Sequence, residues 1–304
     1  MTRSIELLEV GPRDGLQMEA TVVPTAVKVE LIQRLLRAGL KRIEVTSFVN
    51  PKKVPQMADA EELLSRLKRP DGVWFTGLVL NRKGLDRAIA ADCNEIGMVV
   101  VASDTFNRRN QGVSTEESIA AWLDIAKAAT AAGVRAQVTV SAAFGCPFEG
   151  EVPVHRVVEI AKRVAEGEPS EICFADTIGV GVPGQVTEIL TKAREALPGV
   201  RLRCHFHNTR NTGIANAFAA VEAGAVALDA SIGGVGGCPF APAATGNIST
   251  EDLLYMLDRS GIQTGVSLPA MIETARWLQE QLGRPIPGML MKAGPFPKAA
   301  GANQ

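Results

Sequence analysis

The sequence predicts an α/β fold, a (β/α)8 TIM barrel with a C-terminal helical extension. Short β-branched runs alternate with segments of helical period along the chain, and eight such strand–helix units fit a closed barrel. The length of 304 residues also matches one barrel. A doubly wound open sheet is the alternative. The predicted strands begin near Ile5, Arg42, Val73, Glu95, Val134, Ser170, Leu202 and Val226.

Helical periodicity places the first helix between the first two strands. Val27, Leu31, Leu35 and Ala38 share one face of this helix, as the apolar stripe of a helix packed on a sheet should. Gly39 follows as a stop signal, because glycine readily adopts the left-handed conformation that ends helices.

Two later helices carry signals of their own. Ser114 and Glu117 form a capping box in front of an apolar helical pattern. Another helix, over residues 268–282, follows the eighth unit. We therefore expect one catalytic barrel over residues 1–283, with this additional helix, and a Pro/Gly-rich tail over residues 284–304.

Composition and charge exclude several classes of function. The 32 basic and 33 acidic residues nearly cancel, which argues against nucleic acid as a partner because such proteins carry a basic footprint. No apolar run approaches the roughly 20 residues of a membrane span, so we expect no membrane partner. The start of the chain shows no secretory signal pattern, and the five cysteines form no CxxC pair. These features predict reduced thiols, four of them in the core, and a cytoplasmic location.

The strongest chemical motif is His205-Phe206-His207, at the end of the seventh predicted strand. Alternate side chains of a strand share one face, so both imidazoles point into the barrel mouth. Active sites of such barrels lie at the C-terminal ends of the strands, and imidazole is the commonest metal ligand. The motif therefore predicts a metal site, with two hydrogen-bonded core histidines as the alternative. The third histidine, His155, opens a predicted helix and is expected at the surface.

The end of the first strand offers a further ligand. Gly11 and Pro12 break that strand, which places Arg13 and Asp14 over the barrel. One carboxylate with two imidazoles gives mixed oxygen and nitrogen ligation, which suits Mg²⁺ or Mn²⁺, although Zn²⁺ also accepts these ligand types. An ordinary Asp-Gly turn is the alternative.

A glycine-rich segment follows the eighth strand. Four glycines within residues 233–237 predict a loop able to move as a lid, with Cys238 at its tip. The flanking glycines leave the thiol little to pack against, which favours a reactive cysteine over a buried one. Asn247 precedes the capping sequence that starts at Ser249, so its amide is either a helix cap or a fourth metal ligand.

Carboxylates also stand at the ends of two other strands. Glu44 interrupts the apolar second strand, and a buried carboxylate needs a partner, for which Arg13 is available. Asp176 ends the sixth strand and is expected at the same rim.

Together these segments resemble the hydroxymethylglutaryl-CoA lyase family of metal-dependent TIM-barrel carbon–carbon lyases. The likeness extends along the whole chain, and the glycine–cysteine loop is its most specific part. The matching segments are residues 10–17, 44–57, 145–150, 176–181, 205–207 and 236–252.

The resemblance implies a role for each candidate residue. It implies that the metal ligands are Asp14, His205, His207 and Asn247. It implies that Arg13 stabilises the thioester enolate oxygen, that Cys238 is the acid/base group, and that His205, Glu44 and Asp176 take further parts in catalysis. Contacts with the substrate or coenzyme A are implied for Gln17, Ser47, Asn81, Arg82, Lys83 and Arg108, with Arg109 beside them.

The resemblance implies cleavage of 3-hydroxy-3-methylglutaryl-CoA to acetyl-CoA and acetoacetate, as in leucine catabolism and ketone-body formation, by an acyl-CoA-binding homodimer. The chain departs from the family pattern at Asn208 and Arg210, where many members have Asp and Tyr. These departures leave open a related substrate such as citramalyl-CoA. A condensing acyl-CoA synthase of the same barrel class also stays open at this point, as does a barrel that only binds its ligand.

Overall fold

Eight parallel strands close into a barrel in the computed structural model, which describes residues 3–237 and 246–297. Each strand pairs with its neighbours in chain order, and the last pairs with the first. This confirms the predicted TIM barrel. The strands are β1 (Glu6–Glu9), β2 (Arg42–Ser47), β3 (Trp74–Leu78), β4 (Glu95–Val101), β5 (Arg135–Ser141), β6 (Ile172–Asp176), β7 (Leu202–Phe206) and β8 (Ala227–Ala230).

Helices cover the outside of the barrel. The sequence predicts the start signal of one of them and the stop signal of another, and both are present. Ser114 and Glu117 form the expected capping box at one helix, and Gly39 adopts a positive φ just past another. The helices are α1 (Thr25–Arg37), α2 (Ala60–Ser65), α3 (Arg82–Ala90), α4 (Asp104–Gln111), α5 (Thr115–Ala131), α6 (Val154–Ala165), α7 (Pro183–Ala196), α8 (Gly213–Glu222), α9 (Thr250–Arg259), α10 (Leu268–Leu282) and α11 (Leu290–Ala293). None of these helices is both long enough and apolar enough to cross a membrane.

Three short turns and one small strand pair complete the architecture. Residues 3–4 pair with residues 262–263 outside the barrel. A wide π-helical turn, Gly11–Gly15, follows β1. Single 3₁₀ turns lie at Pro55–Met57 and, directly after β8, at Ile232–Gly234. Two of these turns, after β1 and after β8, lie at the C-terminal end of the barrel, where a site is expected.

The barrel interior has two chemically distinct halves. At the N-terminal ends of the strands lies a set of fully buried charged side chains, which we call the basal charge cluster: Arg42, Glu95, Glu171 and Arg203. At the C-terminal ends lie the predicted site residues. The four cysteines expected in the core, Cys93, Cys146, Cys173 and Cys204, are all buried.

The segment after α10 is packed against the top of the barrel as far as α11. Ile286 and Met291 are buried in it, and Gly288 donates a backbone hydrogen bond to the carbonyl of Gly233. The carboxylate of Asp252 accepts hydrogen bonds from the amides at the start of α11. The part of the expected tail that the structure describes therefore contacts the loop that follows β8.

Candidate metal centre and active site

Three potential metal ligands converge at the C-terminal mouth of the barrel. Ligand atoms of Asp14, His205 and His207 all lie within 4.8 Å of one another. His205 is the second-last residue of β7, and His207 lies two residues further on, so strand alternation brings both rings to one side with centroids 5.2 Å apart. Asp14 reaches them from the turn after β1, where the amides of residues 13–15 all donate to the carbonyl of Val10.

Asn247 joins these three side chains and is oriented by its neighbours. It forms an isolated antiparallel bridge with His207. Its Nδ2 donates to Asp14 Oδ2 at 2.9 Å and to the carbonyl oxygen of Val235 at 3.2 Å. Its Oδ1 is therefore the atom turned away from both acceptors. Asn247 Oδ1 is therefore a candidate ligand with a fixed orientation. The Asn247 side chain does not cap α9, because Ser249 provides that cap.

Two buried atoms of this centre have no hydrogen-bond partner in the part of the chain that the structure describes. They are Asn247 Oδ1 and His207 Nδ1. Buried polar atoms are normally paired, and an unpaired one points to an ion or water that completes it. Asn247 Oδ1, the carboxylate of Asp14 and the imidazoles of His205 and His207 form a donor set that fits a divalent cation.

The protonation states of Asp14 and His207 suit a cation as well. Although burial raises it, the charges of Arg13, His205 and His207 lower the pKa of Asp14 to about 2, so this carboxylate is ionised. Burial and the charge of His205 lower the pKa of His207 to about 4, so its ring is neutral at pH 7. An ionised carboxylate and a neutral imidazole are the forms that bind metals.

Asp229 on β8 is a site residue that the sequence analysis missed. Its Oδ2 lies 3.2 Å from His205 Nδ1. Burial lowers the pKa of His205, but the hydrogen bond and charge of Asp229 raise it above the ordinary value. An Nδ1–H donated to this carboxylate leaves Nε2 of His205 facing the site. A carboxylate inside the apolar strand Ala227–Ala230 was the available signal, the same signal that identified Glu44.

Arg13 and Glu44 form the predicted ion pair at the edge of the centre. Arg13 Nε and Nη2 lie 2.7 and 2.6 Å from Glu44 Oε2, and Arg13 Nη1 donates to Asp14 Oδ1 at 2.7 Å. These contacts use three of the five N–H groups of the guanidinium. The remaining two N–H groups have no acceptor among the described residues and can donate to an oxygen of a bound molecule.

Asp176 stands at the rim but is occupied by its own loop. Its two carboxylate oxygens accept hydrogen bonds from the amides of Val180 and Gly181, each at 2.9 Å. Burial raises its pKa in spite of these bonds. In this structure the side chain holds the turn that follows β6.

The residues expected to contact the substrate or coenzyme A are spread over separate loops. Ser47 Oγ at the end of β2 is buried and has no hydrogen-bond partner among the described residues, whereas Gln17 is partly exposed just after the β1 turn. Asn81 caps α3, because its Oδ1 accepts from the amide of Gly84 at 2.9 Å. Its amide nitrogen is left for a ligand.

The basic candidates lie on the surface of two helices. Arg82 pairs with Asp86 at 3.0 Å and Arg108 with Asp104 at 2.8 Å, each within one exposed helical turn. Arg109 stacks on a phenylalanine ring at 4.2 Å, and Lys83 is exposed in the first turn of α3. The structure does not bring these groups into the metal centre.

Two further predictions concern a cysteine and a histidine. Cys238, the expected acid/base group, lies outside the described residues. His155 is exposed at the start of α6, as the sequence predicts.

Comparison with known proteins agrees with this geometry. Residues 4–278 match the HMGL-like family model. The chain is 43% identical to (R)-citramalyl-CoA lyase of Chloroflexus aurantiacus, over 96% of this chain and 95% of that protein. It is 42% identical to the mitochondrial hydroxymethylglutaryl-CoA lyase of Mus musculus, over 93% and 87%.

A solved structure extends the likeness to the fold. The HMG-CoA lyase of Acinetobacter baumannii, in complex with coenzyme A and 3-methylmalate, superposes with a TM-score of 0.92. The identity is 40%, over 96% of this chain and 95% of that one. This protein therefore belongs to the HMGL-like family and is a carbon–carbon lyase.

Proposed function

We propose that the protein cleaves 3-hydroxy-3-methylglutaryl-CoA to acetyl-CoA and acetoacetate with the help of Mg²⁺ or Mn²⁺. The observation that carries this proposal is the partly buried cradle of Asp14, His205, His207 and Asn247 with Arg13 at its edge. Relatives named hydroxymethylglutaryl-CoA lyase, about 40% identical over most of their length, support it. A bound divalent cation would lower the pKa of the tertiary hydroxyl of the substrate and so ease its deprotonation.

The chain's own residues would divide the proton and charge transfers between them. We assign the base to His205, because Asp229 at its Nδ1 stabilises the imidazolium that forms when Nε2 takes the hydroxyl proton. Asp14, His207 and Asn247 would hold the cation while His205 carries the proton. The bond between C2 and C3 breaks, and its electron pair moves to the thioester enolate.

Arg13 would stabilise the enolate that forms in this step. Its two remaining N–H groups can donate to the thioester oxygen, which carries the developing negative charge. Glu44 holds the guanidinium in place through two contacts with one carboxylate oxygen. The enolate carbon finally needs a proton to give acetyl-CoA. On the sequence pattern alone, we assign its delivery to the thiol of Cys238.

The test is a cleavage assay with a panel of 3-hydroxyacyl-CoA thioesters and products identified by mass. We expect acetyl-CoA and acetoacetate from 3-hydroxy-3-methylglutaryl-CoA, complete loss after removal of divalent metal, and recovery with Mn²⁺. The Asp14→Asn variant should remain inactive after Mn²⁺ is added at the concentration that restores the parent. Undiminished turnover after full chelation, or no cleavage of this thioester, would contradict the proposal.

Citramalyl-CoA is the second candidate substrate, and the 43% identical (R)-citramalyl-CoA lyase favours it. Its carboxylate is one carbon nearer the hydroxyl, so cleavage would give pyruvate and acetyl-CoA. Arg210 is exposed near the end of β7, where its Nη1 donates to the carbonyls of Ile178 and Gly179 and its other N–H groups remain available. A higher kcat/KM for citramalyl-CoA in the same panel would replace the first candidate by the second.

Coenzyme A binding, the homodimer and the cytoplasmic location complete the proposed description. A related lyase has been solved with coenzyme A, and exposed Arg82, Lys83 and Arg108 offer cations for its phosphates. The dimer and the location stay predictions from the sequence.

A further inference from the structure

Residues 231–237, which directly follow β8, form one wall of the metal centre. The carbonyl oxygen of Val235 accepts the amide of Asn247 at 3.2 Å, and Ser231 Oγ donates to the same oxygen at 2.7 Å. A Cβ added at Gly236 would lie 2.5 Å from Asn247 Nδ2. The Val235 carbonyl and Asp14 Oδ2 therefore set together which way the amide of Asn247 points.

The turn that precedes Val235 is held from two sides at Gly233. On one side, Glu251 Oε2 accepts the amide hydrogen of Gly233 at 3.0 Å. On the other, Ile286 packs directly on the Gly233 Cα, since an added Cβ would lie 2.2 Å from its Cδ1. Gly233 has a φ of +65°, which a side chain would disfavour, and its carbonyl accepts the amide of Gly288 at 2.9 Å.

Both holding residues are themselves fixed. Glu251 lies in the first turn of α9 and is fully buried. Ile286 is 2% exposed, and Asp252, the neighbour of Glu251, accepts the amides of Met289 and Leu290 three and four residues further along the same segment. Hydrogen bonds thus connect the start of α9 and the segment after α10, which together support Gly233.

We propose that Glu251 and Ile286 are positioning residues of the metal centre. Through Gly233 they hold the Val235 carbonyl against Asn247 Nδ2, and so keep Asn247 Oδ1 turned towards the cation. Neither residue touches a ligand atom of the centre directly. The inference rests on the proposed metal site.

Metal affinity of the folded, metal-free protein tests this role. Glu251→Met removes the acceptor for the Gly233 amide while keeping the side-chain length, whereas Glu251→Gln keeps an oxygen acceptor. Ile286→Ala removes the apolar side chain that packs on the Cα of Gly233. Leu257→Ala is the control, because Leu257 is fully buried on the same helix but lies well beyond its first turn. Mn²⁺ dissociation constants come from electron paramagnetic resonance, and thermal midpoints without metal report stability.

We expect Glu251→Met and Ile286→Ala to weaken Mn²⁺ binding about tenfold or more, the usual effect of losing a partner that orients a ligand. Glu251→Gln should retain most of the affinity. Leu257→Ala should lower the thermal midpoint and leave the Mn²⁺ affinity unchanged. The inference fails if the first two variants bind Mn²⁺ as the parent does, or if Leu257→Ala weakens binding equally. A parent protein that binds no Mn²⁺ overturns the proposed metal site itself.

Discussion

The two halves of the barrel interior differ in how their buried charged and polar groups are partnered. In the basal charge cluster every charge faces an opposite one. Arg42 Nη2 lies 3.0 Å from Glu95 and 3.1 Å from Glu171, and Arg203 Nε lies 2.7 Å from the same Glu171. All four side chains are shielded from water, so each relies on its partners to offset the cost of burial.

In the basal charge cluster, Arg42 Nε and Arg203 Nε lack a hydrogen bond but still lie 3.5 and 2.7 Å from carboxylate oxygens. In the metal centre, two polar atoms are left open. Asn247 Oδ1 and His207 Nδ1 are buried, yet among the described residues neither has a hydrogen-bond partner. Asp229 connects the two halves, since it contacts both Arg203 and His205. The base of the barrel is therefore closed and serves stability, whereas the mouth is left incomplete for a ligand. Three substitutions test this contrast.

Arg42→Met should have the largest effect on stability. It leaves the buried carboxylates of Glu95 and Glu171 without this cation, and breaking a buried ion pair from one side typically costs about 3–5 kcal/mol. We expect the free energy of unfolding in urea to fall by that amount, while kcat per folded molecule is retained. A variant as stable as the parent would show that the basal cluster does not stabilise the fold.

Arg13→Lys should have the opposite effect, a large loss of kcat with little change in stability. An ammonium cannot contact Glu44 and Asp14 and still present a directed pair of donors, so kcat should fall about 10²- to 10³-fold, as for the loss of an oxyanion donor. The free energy of unfolding should change little. Arg66→Lys, in an exposed pair with Glu62, is the matched control and should retain full activity. Equal losses in both variants would remove Arg13 from the proposed mechanism.

Glu9→Gln should have the smallest effect, visible only as a change in pH dependence. Glu9 at the end of β1 has hydrogen bonds from Ile232 and Thr250 but no cation beside it among the described residues, and burial raises its pKa to about 8. The folded protein therefore holds a proton that the unfolded chain releases above about pH 4.3. The contribution of Glu9 to the free energy of unfolding is fully present below that pH and is lost as pH rises towards 8.

Unfolding in urea between pH 5.5 and 8 measures this effect. The free energy of unfolding of the parent should fall by about 1 kcal/mol per pH unit relative to that of Glu9→Gln. Glutamine can accept the same backbone hydrogen bonds, so the variant should fold. Identical slopes for the two proteins would show that Glu9 is ionised in the folded state.

Features that depend on neighbouring residues, such as strand alternation and helix periodicity, could be predicted from the sequence. Strand alternation places His205 and His207 on one face, and the break at Gly11 and Pro12 places Asp14 over the mouth, so these residues could be found without a structure. The helix over 268–282 follows from its periodicity and matches the observed bounds.

Contacts between distant segments could not be predicted in this way. The pairing of Asp229 with His205 and the packing of Ile286 on Gly233 depend on how separate elements meet in space. Asp176 and Asn81 show a second limit. Their residue types suit a site, but in the structure their oxygens accept amides of their own loop or helix, which no spacing rule reveals.

Crystals grown with Mn²⁺ would locate the cation through an anomalous difference map. We predict one strong peak at the barrel mouth, bounded by Asp14, His205, His207 and Asn247. The basal charge cluster should hold no peak. A mouth without manganese at saturating Mn²⁺, or a peak bound elsewhere on the chain, would contradict the proposed metal centre.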